Sequence, residues 1–110
     1  MNFLATLSNS GTQVNKIINA NSWSACLAYC EGTGFEINNI TQLSSSVSIV
    51  LKDPTSENCY GVLLKSNSSS SSTNNFVFAN DFNSLEEWLA LQTDVTIMSI
   101  QTQQKSYVTV

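Results

Sequence analysis

Three thiols are the side chains of this 110-residue chain best suited to metal or redox chemistry: Cys26, Cys30 and Cys59. Cys26 and Cys30 stand four apart, so on a helix they share one face. With Cys59 they resemble part of a zinc site, or alone a dithiol pair. A structural zinc site takes four Cys or His ligands, and the chain has no His. A fourth ligand would have to be an acid. An odd cysteine count in a chain whose first residues lack a secretory signal also argues against a disulfide framework. Cys26 and Cys30 are therefore read as small apolar side chains of a core, with no metal and no cofactor.

The acids give no catalytic pair either. Paired carboxylates do acid–base work when they converge across a cleft. Glu86 and Glu87 are neighbours, pointing about 100° apart on a helix, and with Asp81 they suit a helix start, where the macrodipole favours negative charge. The serine runs Ser44–Ser46 and Ser68–Ser72 have no His or other convincing base to activate a nucleophile. No residue is assigned to catalysis, and the chain is read as non-enzymatic.

Trp23, Tyr29, Phe82 and Trp88 have the type, though not the setting, of a stacking platform for single-stranded nucleic acid. Four Lys, no Arg, eight acids and a net charge of −4 run against phosphate binding, so nucleic acid is not the expected partner. Trp23 and Phe82 are assigned to the core. Tyr29 and Trp88, off the centre of their helical stripes, are assigned to a contact with a partner or with the other half of the chain.

The elements that must position these residues repeat. Lys16–Cys30 laid over Asn75–Leu89 sets Ala20-Asn21 on Ala79-Asn80, Trp23 on Phe82, Cys26 on Leu85, Tyr29 on Trp88 and Cys30 on Leu89. Upstream, Phe3, Ala5 and Leu7 fall on Tyr60, Val62 and Leu64. Downstream, Ile40 falls on Ile100, Ser46 on Ser106, Val47 on Tyr107 and Val50 on Val110. Each half reads strand, strand, helix, strand, strand.

In the first half the spacing predicts strands over Asn2–Ser8 and Gln13–Ala20, around a short Asn-Ser-Gly-Thr connection. A helix capped by Asn21, Ser22 or Ser24 runs to Glu31 and stops at Gly32-Thr33-Gly34. A second hairpin, Phe35–Leu43 with Val47–Lys52, turns at Ser44–Ser46. In the second half, strands Cys59–Lys65 and Asn75–Asn80 flank a flexible polar loop, Ser66–Asn74. A helix over Asn83–Leu91 starts with an Asn83–Glu86 capping box. Strands Val95–Thr102 and Ser106–Val110 close the chain.

The expected fold is α+β: a tandem duplication of a ββαββ unit, with antiparallel sheets and one helix per repeat. Repeats of about 2–51 and 59–110, joined by a linker at 52–58, are each too small to stand comfortably alone. They are expected to share one core as a single pseudo-two-fold domain covering 1–110.

Surface composition sets the functional expectation. Ser, Asn, Thr and Gln make 47 residues and only 11% are charged, well below the charge that keeps a stand-alone protein dispersed. No run approaches the ~20 apolar residues of a membrane helix. This favours a structural component of a larger assembly, a small bacteriophage virion protein that decorates a capsid and binds neighbouring subunits, including a major capsid protein. The competing expectation is a phage-encoded binding module of the host cytoplasm, an inhibitor or single-stranded DNA binder. Neither places the chain in a membrane or gives it a small-molecule substrate. Expected partner contacts are Tyr29, Trp88, Ser68, Ser70, Tyr107 and Val108. Tyr29 and Trp88 belong to the helices; beyond them, an uncharged edge strand, Ser106–Val110 or Asn2–Ser8, and the Ser66–Asn74 loop are expected to touch neighbouring subunits.

Overall fold

A computed structural model describes residues 1–110. The order is β1 (Asn2–Asn9), β2 (Thr12–Asn19), α1 (Trp23–Gly32), β3 (Glu36–Gln42), β4 (Val47–Leu51), β5 (Asn58–Ser66), β6 (Ser72–Phe78), α2 (Phe82–Ala90), β7 (Val95–Gln104) and β8 (Ser106–Thr109). The fold is α+β, with two helices and two four-stranded mixed sheets, β3-β1-β2-β8 and β4-β6-β5-β7. The chain forms two units, Met1–Ser44 with Lys105–Val110, and Ser45–Gln104.

In the first unit β1 and β2 form a hairpin closed by Ser10 (φ 53°) and Gly11 (φ 84°). Two successive left-handed residues match the right-handed strand twist, and glycine adopts that backbone without steric cost. Alternation then buries Phe3, Ala5 and Leu7 on one face of β1. Ser22 opens α1 by accepting the Ala25 amide at 3.1 Å, satisfying a donor that the helix leaves unpaired. The helix lays Cys26 and Cys30 onto Phe3, Ala5, Leu7, Ile18 and Ala20. Gly34 (φ 75°) turns the chain out of it into β3.

The second unit buries Tyr60, Val62, Leu64, Val77, Ala79 and Leu85 in the same arrangement. Its registers run parallel to those of the first. Phe3 faces Ile18 and Ala5 faces Ile40, where Tyr60 faces Val77 and Val62 faces Ile100. Both central strands slip against their antiparallel outer neighbour at one point. Between Thr6 and Leu7 the extra residue is Asn38, and between Leu63 and Leu64 it is Met98. Each helix starts with a ring in edge-to-face contact with a strand ring, Trp23 on Phe3 at 6.0 Å and Phe82 on Tyr60 at 6.3 Å.

Several expectations are corrected. The sheets are mixed, not antiparallel: β8 pairs parallel to β2 (Ile18 with Val108) and β4 parallel to β6 (Val77 with Val50). Residues 35–52 consequently form no hairpin, since β3 and β4 lie in different sheets. The reading rested on chain neighbours pairing. Leu43–Ser46 contains none of the left-handed residues that the β1–β2 turn uses. Helix α2 starts one residue before the expected Asn83, and its cap is Asp81, whose carboxylate accepts the Ser84 amide at 2.8 Å. The expected loop Ser66–Asn74 shrinks to a turn, because β5 runs to Ser66 and β6 begins at Ser72. Trp23 and Phe82 are not core: each is 49% exposed. At the first helical position each ring reaches only the start of a central strand, at Phe3 and at Tyr60.

Residues 52–57 do more than connect. Asp53 accepts the Asn80 amide at 2.8 Å and the Ser84 hydroxyl at 2.5 Å, which fastens the segment to the start of α2. These two bonds hold the Asp53 carboxyl below its ordinary pKa of 3.8.

Candidate functional site

Four strands are outermost in their sheets: β3 and β8 in one, β4 and β7 in the other. An outermost strand carries a row of backbone groups without a ladder partner, which proteins blunt with charge, proline, bulges or short length. β1, one of the two edges expected from sequence, lies between β3 and β2, and both its sides are used. The other, β8, is outermost but only four residues long.

The strand that stands out is β7. It runs for ten residues, VTIMSIQTQQ, without a charge or a proline; Asp94 precedes it and Lys105 follows it. Ile97 and Met98 on it are 47% and 54% exposed. Its counterpart in the other sheet is β3, which shares the register and the bulge. Where β7 has Thr96, β3 has Glu36. Where β7 has Ile97, β3 has Ile37, packed against the first core. Where β7 has the exposed Met98, β3 has Asn38, whose Nδ2 donates to Ser8 Oγ at 2.6 Å. The same geometry is charged and tied down on β3, and neutral and apolar on β7.

The serine turn belongs to this surface. Asn67 donates its amide to the Asp94 carbonyl at 2.9 Å and accepts the Thr96 hydroxyl at 2.6 Å, tying the β5–β6 tip to the start of β7. Ser68 and Ser70 are exposed at that tip. Ser66 and Ser68 share a hydrogen bond, as do Ser69 and Ser71, so the turn is internally braced.

The remaining expected contacts each have partners within their own unit. Tyr29 and Trp88 are half-buried, each packed beside the core of its own unit. Val108 packs on the first core, and the Tyr107 hydroxyl accepts from Asn19 Nδ2 at 3.1 Å. Sequence reasoning missed Ile97 and Met98. The uncharged run 95–104 was visible, but its place at the border of a sheet was not.

A shallow depression of about 190 Å³ lies along β5 and β7, lined by Asn58, Cys59, Tyr60, Thr102, Gln103 and Gln104. The Gln103 amide sits over Gly61, where a Cβ would come within 2.9 Å of its Nε2. It brings no acid, base or cation to a ligand. Cys26 and Cys30 are buried, and none of the three cysteines forms a disulfide. Burial, together with the neighbouring Cys30 thiol, pushes the Cys26 thiol up to about 11. Burial raises Cys30 too, against the opposing effects of its hydrogen bond to Cys26 and the charge of Lys16. Thiols kept protonated in this way are poor nucleophiles at neutral pH. No helix is long and apolar enough to cross a membrane.

Compared with family models, with curated proteins and with solved structures, the chain finds no match.

Proposed function

We propose that this chain is a non-enzymatic structural component of a larger assembly, which holds a neighbouring protein subunit by strand addition along β7. The observation that carries this reading is the contrast between β3 and β7: equal register and bulge, but a charge and a tethered Asn on one against exposed Ile97 and Met98 on the other. An added strand finds backbone partners along ten uncharged residues, and no ion must be desolvated to admit it. Composition favours the setting of a bacteriophage capsid, with the chain as a small decorating protein and the major capsid protein as the surface it grips. The serine turn adds hydroxyls beside the start of β7.

The fold is read as a tandem duplication of a ββαββ unit whose halves have traded their fourth strands. Matched registers, bulges, N-caps and ring pairs support it. The matched pairings set Val108 against Val50, two residues away from the alignment read in the sequence. On this reading one copy kept a protected border and the other lost it.

Density-gradient purification of particles from the source culture tests the function. The chain is expected in the particle band at a fixed ratio to the major subunit. A chain found only unassembled, as a monomer in the cell lysate, overturns the proposal.

A further inference from the structure

We infer that β8 is exchangeable between copies of this chain, so that two copies can each seat their β8 against the other's β2. This goes beyond the partner proposed for β7 and uses a different strand.

Three observations converge. First, the contacts given for β8 lie in the first unit: the ladder from Lys16–Ser106 to Asn19–Thr109, the Asn19–Tyr107 bond, Val108 on the Phe3–Cys30 cluster, and the Val110 amide on the Asn19 carbonyl at 2.9 Å. Second, β8 is joined by Lys105 alone to β7, a strand of the second unit. The other passage between units, from β3 to β4, has four residues, Leu43–Ser46. Third, β2 without β8 is a bare border beside an apolar core, ready to receive a strand of this one sequence.

A β8 from a second copy makes each of these contacts equally well. The chain's own strand has the advantage of a higher local concentration, which a rising protein concentration offsets. A one-residue joint between strands of different units is the kind of short hinge at which exchange occurs. The four ladder pairs are also the fewest of any pairing in either sheet, so β8 is the strand most easily released.

The test uses full-length chains of two different masses, one carrying Asn19→Cys and the other Thr109→Cys, positions that face each other in the β2–β8 ladder. They are unfolded, mixed, refolded together at rising concentration and treated with a short bis-maleimide. The expected result is a cross-linked heterodimer that increases with refolding concentration. It should persist when both chains also carry Thr96→Glu and Met98→Asn, which separates β8 exchange from pairing along β7. A chain carrying both cysteines serves as the reactivity control. If it cross-links only within itself, and the mixed chains give no heterodimer at any concentration, the inference is overturned.

Discussion

The two units place their bulk differently. In the first, the fully buried side chains of the helix are the small Cys26 and Cys30, with Ala25 and Tyr29 packed beside them, and β3 with its approach supplies volume through Phe35, Ile37 and Ile40. In the second, Leu85 and Leu89 come down from the helix, Val62 replaces Ala5 on the central strand, and Val95 and Ile100 are the β7 residues packed in. Ile97, the counterpart of Ile37, is not among the residues packed on that core and remains 47% exposed. An interior is packed to a fixed density, so bulk added at one place leaves less room at another. The unit with two leucines on its helix is also the one whose border isoleucine is exposed, and that border is the surface we propose for a partner.

Substitutions can break this comparison at graded cost. The largest effect is expected at Leu85, which is fully buried. Leu85→Ala should cost about 2–5 kcal/mol from lost transfer energy and a residual cavity. The matching Cys26→Ala removes only a sulfur and should cost about 1 kcal/mol, both read from urea unfolding. Giving the first unit the second unit's helix, Cys26→Leu with Cys30→Leu, should cost about 1–3 kcal/mol through overpacking. Adding Phe35→Val should return part of that. No recovery would mean that helix and strand volumes are not exchanged as argued. The caps rank next. Ser22→Ala and Asp81→Ala should each cost about 1 kcal/mol, and a much larger loss at one would separate helix starts that look alike.

Asp53 breaks the symmetry in another way, by fastening the 52–57 segment to α2. Its carboxyl is held below 3.8 in the folded state, so its contribution is present above the unfolded value and is lost as pH falls through the lower folded one. Urea midpoints of wild type and Asp53→Asn should therefore differ at neutral pH and converge in acid. A constant difference would contradict the assigned hydrogen bonds.

All ten elements stand near where the sequence sets them, because each is written locally. Examples are Asn-Ser-Gly-Thr for the first turn, Ser22 for a helix start, and alternation along Phe3, Ala5 and Leu7. What no local signal carries is the choice of sheet for β4 and β8. Their apolar residues would suit either neighbour, and pairing is decided by contacts far away in the chain. The one available hint was negative, the absence of Gly or Asn from Leu43–Ser46. The site divides in the same way. An uncharged run at 95–104 could be read directly. That Ile97 is left exposed beside a core holding Leu85 and Leu89 is settled by three-dimensional packing, which no local pattern carries.

The smallest change in stability should accompany the largest change in assembly. Thr96→Glu with Met98→Asn writes the β3 pattern onto β7, at exposed positions where the loss of the solvent-facing Thr96–Asn67 hydrogen bond should cost only about 0.5 kcal/mol. Co-sedimentation with purified particles, for wild type and for this double variant, puts the contrast between the two strands to trial. Wild type should pellet with the particles while the equally stable variant stays in the supernatant. If both pellet to the same extent, β7 is not the surface that holds this chain in place.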